Sequence, residues 1–308
     1  MNLGRFKTGR VYVGDTGEYL YPLPPDCIDL TITSPPYDLV TWDMVNPPVT
    51  DTTTNLRQYN GYSWDFGLVA RQLYRVTKPG GILVWVVADK SVDGDETGTS
   101  FMQALYFKSV GFRLHDTMIY HRSCLPMTHN RYEQHFEYMF VFSKGKPKTF
   151  NPLREKSIHA GEKQQLATSS ATSAEMRSRH GRDNPKPWKS RETKIMGNVW
   201  TLPGGLGLTT KDKDKYAFAH PAMFPEDLAR RHILSWSNPG DIVFDPFAGS
   251  GTVAKIAELL GRQHLGFEIS QEYVNIAERR LAEIRLQPAL LTAQQIEQQA
   301  SGEPHESE

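Results

Sequence analysis

The sequence predicts an α/β fold built on a mostly parallel sheet with helices on both sides. Three observations carry that expectation. Helix-like and strand-like runs alternate along most of the 308 residues. One run, Ile82 to Ala88, is almost continuously apolar, as a strand covered on both faces must be. Two further runs, Ile28 to Thr33 and Asp241 to Phe244, each lead into a sharp corner, the first made of prolines and the second of glycines.

Taken in order, Val11-Tyr12-Val13 reads as a short strand closed by the turn Gly14-Asp15, which presents a free carboxylate. Tyr19 to Pro25 forms a brief helix or loop. In the next strand Ile28, Leu30 and Ile32 alternate with Asp29, Thr31 and Thr33. Asp38 to Tyr62 is rich in Thr, Asn and Pro, and a passage of that length is expected to be a lid, a binding loop or a mobile segment. Phe66, Val69, Leu73 and Val76 have helical spacing within Trp64 to Thr77, and Lys78-Pro79-Gly80-Gly81 is a helix stop followed by a turn. After the strand Ile82 to Ala88, Phe101 to Val110 reads as a helix, and Phe112 to His121 and Phe136 to Phe142 read as strands.

The alternation then breaks. Asn151 to about Lys215 is polar, contains the low-complexity piece Ala167 to Ala174, and is expected to be an insertion or small lobe, partly disordered without a partner. Order resumes at Pro225, which suits a first helical residue, with Glu226 and Asp227 placed for a helix N-terminus. That helix runs to about Trp236. The strand Asp241 to Phe244, the helix Thr252 to Leu260, the strand His264 to Phe267 and the helix Gln271 to Arg285 follow. The Gln- and Glu-rich tail from Pro288 is expected to fray.

Composition narrows the function classes. Hydrophobic residues at 39% and charged residues at 23% describe an ordinary soluble protein. No apolar run approaches the ~20 residues needed to span a bilayer, and the N-terminus lacks a signal-peptide core, so a cytoplasmic location is expected. Cys27 and Cys124 stand apart from any Cys/His cluster, which supports neither a metal site nor a disulfide framework. Thirty-five basic residues balance 35 acidic ones, yet unevenly. Between Asn151 and Lys215, 13 lysines and arginines face 7 acidic residues, a net +6 that leaves −6 for the rest and suggests a polyanion-binding face.

Two motifs carry the chemistry. Ser34-Pro35-Pro36-Tyr37 ends the first strand. Its prolines stiffen the turn and leave carbonyls as unpaired acceptors, beside one hydroxyl and one aromatic face. Such a corner suits a planar group bearing an NH2. The second motif, Asp245-Pro246-Phe247-Ala248-Gly249-Ser250-Gly251-Thr252, joins a strand to a helix through glycines that permit close approach of a ligand. Glu268, seventeen residues after Gly251, ends the next strand, where a carboxylate can accept two ribose hydroxyls. The pattern Gly249 to Ala254 also satisfies the dinucleotide fingerprint, so a nicotinamide-dependent oxidoreductase stands as an alternative. A P-loop lacks its Gly-Lys-Ser/Thr ending. Asp245 would repel a pyrophosphate and would tolerate a cationic sulfonium or ammonium, which favours S-adenosylmethionine.

Taken together, the two motifs resemble the amino-group DNA methyltransferases, and their order along the chain resembles the circularly permuted beta class. Gly14-Asp15 resembles that family's adenine-contacting turn, Lys78-Pro-Gly-Gly81 and Phe136-Glu137 to Lys144-Gly145 match further segments, and His220-Pro221 to Phe224-Pro225 resembles the segment over the methionine end of the cofactor. The resemblance implies a class I S-adenosylmethionine-dependent methyltransferase fold, Rossmann-like and circularly permuted. Its catalytic half would be 1–150, its target-recognition insertion 151–215, its cofactor half 216–287 and its flexible tail 288–308. It implies a catalytic role for Ser34, Pro35, Pro36 and Tyr37. Cofactor contacts would come from Asp15, Pro221, Phe224, Asp245, Pro246, Phe247, Ala248, Gly249, Ser250, Gly251, Thr252 and Glu268.

The implied reaction is methyl transfer to the N4 of cytosine in double-stranded DNA after base flipping, with N6 of adenine as the alternative. C5 methylation needs a cysteine in a Pro-Cys context, and neither cysteine has one. DNA contacts are expected from Arg177, Arg179, Arg182, Lys186, Lys189, Arg191 and Lys194. The resemblance leaves open a homodimer and a cognate restriction endonuclease as partners. A nucleic-acid-binding module with a degenerate catalytic fold is the non-enzymatic alternative.

Overall fold

The structure, a computed structural model, describes residues 1–36, 40–41, 64–92, 94–122, 132–157, 163–164, 188–189, 192–202 and 225–286. They fall into two compact units, one containing 1–151 and 197–286 and the other 152–196.

The first unit is organised by an eight-stranded sheet. In chain order its strands are β1 (Arg10–Val13), β2 (Ile28–Thr33), β3 (Thr77–Val87), β4 (Arg113–His121), β5 (Phe136–Ser143), β6 (Val199–Thr201), β7 (Ile242–Asp245) and β8 (Gln263–Glu268). In space the order is β6-β4-β5-β3-β2-β7-β8-β1. Every neighbouring pair is parallel except those of β5, which runs against both β4 and β3. The helices are α1 (Thr16–Leu20), α2 (Phe66–Val76), α3 (Thr99–Val110), α4 (Glu226–Trp236), α5 (Thr252–Leu259) and α6 (Gln271–Leu286).

Alternation along the strands decides which helices cover which face. Leu83, Trp85 and Val87 of β3 join Phe66, Val69 and Leu73 of α2 and Phe107 of α3 in one aromatic-rich core with Phe142, Phe244 and Phe267. The opposite face is covered by α4, α5 and α6. There Val11 packs with Ala254, Val274, Ala277 and Leu281, and the ring of His232 meets Met139 of β5, Nε2 to Sδ 3.3 Å. Burial without a counter-charge drives the His232 pKa down to about 3, so this imidazole is a neutral packing group.

Two elements differ from expectation. The turn expected at Lys78 to Gly81 lies within β3. Ile28 pairs with Thr77 and Leu30 with Ile82, so residues 78–81 bulge out opposite Asp29. Gly80 adopts φ +80° there, and Lys78 Nζ closes the bulge on Asp29 Oδ2 at 2.6 Å. A strand of the large sheet also lies within the stretch 151–215 expected as an insertion. Val199–Thr201 rejoins the large sheet as an edge strand parallel to β4. Buried Trp200 anchors it, with its ring 4.7 Å from that of His232.

In the second unit, Arg154–Lys156 pairs antiparallel with Thr193–Ile195, and Lys163–Gln164 with Trp188–Lys189. Of the passage Asp38 to Tyr62, only Val40–Thr41 is described, paired in parallel with Trp64–Asp65. The low-complexity piece Ala167 to Ala174 and the tail from Pro288 lie outside the described residues.

Candidate active site

The chain leaves β7 through α5 toward β8, and leaves β2 through α2 toward β3, on opposite faces and in opposite directions. A crevice opens at such a reversal beyond the carboxyl ends of the strands, and ligands of open α/β sheets bind there. The glycine motif and Ser34, Pro35 and Pro36 of the proline motif lie at this crevice. Ser34 and Pro36 are half-buried and Pro35 is buried where β2 ends, next to the loop that leaves β7.

Hydrogen bonds shape the loop from within. Buried Asp245 accepts the amide of Phe247 at 3.0 Å and the hydroxyl of Thr33 at 2.7 Å. Ala248 N–H donates to the Phe267 carbonyl at 2.8 Å, and Gly249 N–H to Glu268 Oε2 at 2.8 Å. Thr16 Oγ1 donates to the Pro246 carbonyl. At Gly251 φ is +78°, and an added Cβ would stand 2.6 Å from Ala277 Cβ of α6, so helix and loop approach as only glycine allows.

Two acids dominate the electrostatics. Burial pushes the Asp245 carboxyl up from 3.8 to about 7, with the Thr33 and Phe247 bonds opposing and the Glu268 charge reinforcing that rise. Burial also raises the pKa of Glu268, opposed by the amides of Ser270, Gly249 and Ile269. Glu268 Oε1 accepts Ser270 N–H at 2.9 Å and Oε2 accepts Gly249 N–H. A carboxylate offers about four lone-pair positions. The positions that these amides leave open remain for a ligand hydroxyl.

Asp15 departs from its expected role as a free carboxylate. Its Oδ1 caps α1 by accepting Glu18 N–H at 3.1 Å, because Asp-Thr-Gly-Glu has helix-capping spacing. Asp15 also lines an open cleft of about 400 Å³ with Tyr21, Trp64 and Leu68. Trp64 connects this cleft to the glycine loop, its ring 4.7 Å from that of Phe247.

Tyr37, Pro221 and Phe224 lie outside the described residues, as do Arg177, Arg179, Arg182, Lys186 and Arg191. Lys189 sits in the short strand Trp188–Lys189. Lys194 is exposed and pairs with Glu155 at 3.0 Å. Pro246, Ala248, Ser250 and Thr252 are buried around the turn. Among the described residues no group of His, Cys, Asp and Glu could hold a metal ion.

The family model for N6/N4 DNA methylases matches residues 28–279, which takes in both strand ends and Glu268. The chain belongs to that family. This DNA methylase is similar over most of its length to the orphan methyltransferase M.BamHII of Bacillus amyloliquefaciens, 52% identical over 260 residues, 83% of this chain and 89% of that one. Among solved structures, TTHA0409 of Thermus thermophilus, complexed with S-adenosyl-L-methionine, superposes with a TM-score of 0.56 at 25% identity over 89% of this chain and 93% of that chain. The cytosine-N4-specific PvuII DNA methyltransferase gives a TM-score of 0.61 at 21% identity over 91% and 90%, a likeness of fold. The methylase fold is thus the Rossmann-like α/β fold of S-adenosylmethionine-dependent DNA methyltransferases.

The site's donor set fits that cofactor. Glu268 retains acceptor capacity beyond the amides it accepts, and the Asp245 carboxyl in its ionised form favours a nearby cation. Residue-by-residue reading missed Thr33 and Thr16 as members of this site. Thr33 directly precedes the proline corner, whereas Thr16 is tied to Pro246 across 230 positions and gives no local signal.

Proposed function

We propose that this DNA methylase transfers the methyl group of S-adenosylmethionine to the exocyclic N4 of cytosine in duplex DNA. The observation that carries the reading is the adjacency of the Ser34-Pro35-Pro36 corner and the glycine loop, on neighbouring parallel strands joined by the Thr33–Asp245 hydrogen bond. An acceptor corner for an amine and a pocket for a methyl donor then share one crevice.

When bound, the cofactor supplies an electrophilic methyl group on a sulfonium. The chain supplies the rest. Glu268 holds the ribose, and the cleft at Asp15 and Trp64 receives the adenine. A base amine is a poor nucleophile because its lone pair is delocalised into the ring, and it is hidden in the duplex. Extruding the base costs a few kcal/mol. Tyr37 offers the extruded ring a stacking face, while the Ser34 hydroxyl and the Pro35 carbonyl accept the two N–H bonds and turn the nitrogen lone pair toward the methyl. Positioning and charge placement then provide the catalysis, with no covalent enzyme intermediate. The cations from Arg177 to Lys194 bind phosphates and read bases from the insertion, which we place between the catalytic and cofactor halves.

The choice of cytosine rests on Ser34, since a serine at this corner resembles the N4-cytosine subgroup. The test is incubation with methyl-labelled S-adenosylmethionine and duplex DNA of varied sequence, followed by nucleoside digestion and mass spectrometry. N4-methylcytosine is expected. N6-methyladenine would keep the mechanism and overturn the base assignment.

A further inference from the structure

Helix α6 turns one face to the sheet, and Val274, Ala277 and Leu281 on that face are apolar. Arg280 lies on the same face and is 1% exposed. Removing a guanidinium from water is expensive unless its hydrogens find acceptors, so its partners reveal what it holds. Nη1 donates to the Ser250 carbonyl at 2.6 Å, to Ser250 Oγ at 3.1 Å and to Thr252 Oγ1 at 3.2 Å. Nη2 donates to Glu226 Oε1 at 2.8 Å, and the same oxygen takes Lys255 Nζ at 2.8 Å. Thus one buried cation ties the first residue of α4 and the body of α6 to the glycine loop.

The contact falls on the peptide that sets the turn. The carbonyl of Ser250 is fixed by Arg280, and the amide on the other side of that peptide plane, Gly251 N–H, donates to the Ala248 carbonyl at 2.8 Å. Gly251 rests on Ala277, one helical turn before Arg280. We propose that Arg280, oriented by Glu226, is a positioning residue that holds the loop in its ligand-receiving shape before the cofactor arrives. This rests on the reading of the loop as the S-adenosylmethionine site. Arginine suits the task because its planar fork addresses the loop and Glu226 together, whereas a lysine ammonium is a point charge. A preorganising residue of this kind acts on cofactor affinity and leaves the chemical step untouched.

The experiment compares wild type, Arg280→Lys, Arg280→Met, Glu226→Gln and the Arg280→Met/Glu226→Gln double variant. S-adenosylmethionine affinity is measured by calorimetry, methyl transfer at saturating cofactor, and folding by circular dichroism. Expected are a rise in Kd of about tenfold or more for Arg280→Met, a smaller rise for Arg280→Lys and a few-fold rise for Glu226→Gln. The double variant should bind no worse than Arg280→Met, and kcat should stay within about twofold throughout. Folded Arg280→Lys and Glu226→Gln with wild-type Kd would overturn the proposal, as would a fall in kcat at unchanged Kd. If both Arg280 variants fail to fold, Glu226→Gln decides alone, since that side chain is 35% exposed at the outer end of the pair. Wild-type chain that binds no S-adenosylmethionine would overturn the cofactor reading itself, an outcome distinct from equal binding by all variants.

Discussion

Thr33 and Asp245 end neighbouring parallel strands, and the threonine hydroxyl donates to the aspartate carboxyl at 2.7 Å. The bond favours the charged form of a carboxyl that burial keeps protonated up to about 7. Thr33→Val keeps the β-branched shape and removes the donor. It should destabilise the chain by about 2 kcal/mol at pH 8, where the folded carboxyl is ionised, and by about 1 kcal/mol at pH 5. Urea unfolding at the two pH values measures the difference.

Asp245 also makes stability depend on pH. The unfolded chain releases this proton near 3.8 and the folded chain near 7, so folding takes up a proton in between. The contribution of Asp245 is therefore complete below 3.8, falls as pH rises to about 7 and is level above that. Asp245→Asn should flatten this fall and leave the ligand-free protein more stable than wild type at pH 8, while weakening S-adenosylmethionine binding. Thermal melts from pH 5 to 8, with and without cofactor, read both effects.

Gly251→Ala meets two penalties together, φ of +78° and a Cβ 2.6 Å from that of Ala277. A loss of about 2–4 kcal/mol in stability is expected, with cofactor binding lost before the fold. A melting temperature unchanged within about 1–2 °C would contradict the close approach of α6 to the loop.

Ser34→Ala removes a hydroxyl acceptor from the corner and leaves the prolines in place. Methyl transfer should slow by about 10²-fold with the cofactor Kd unaltered. Single-turnover methylation alongside calorimetry separates the two quantities.

Replacing Arg177, Arg179, Arg182 and Lys186 with alanine should weaken DNA binding and flatten its salt dependence, by about 0.9 in log–log slope for each phosphate no longer neutralised. Fluorescence anisotropy between about 50 and 200 mM salt, the range over which phosphate binding weakens steeply, supplies the slope. An unchanged slope would remove these residues from the DNA interface.

Much of this architecture was legible in the residues. Strands with clean alternation or an unbroken apolar run, such as Ile28–Thr33 and the apolar part of β3 from Ile82 onward, appear where expected, because burial on one or both faces dictates their pattern. Val199–Thr201 did not announce itself, since three residues in a polar stretch are too short for any period, and Trp200 is recognised as an anchor only once His232 is seen against it. The reversed direction of β5 is equally silent locally, for strand direction follows from connections rather than composition. At the crevice, the glycine turn and Glu268 were readable from spacing. Thr16 and Arg280 were not, because each reaches the loop from a distant part of the chain through a single side chain.

The strand order has a consequence for how the molecule is made. A ribosome delivers β1 and β2 at the outset, yet in the finished sheet β7 and β8 lie between them. Between Thr33 and Ile242 synthesis runs for roughly 10–40 s at ~5–20 residues per second. Throughout that interval the facing edges of β1 and β2 have no neighbour, and Thr33 has no carboxylate to bond. The sheet is closed from the middle by the last strands to emerge, so a nascent chain gains its cofactor pocket and its final core in the same late step.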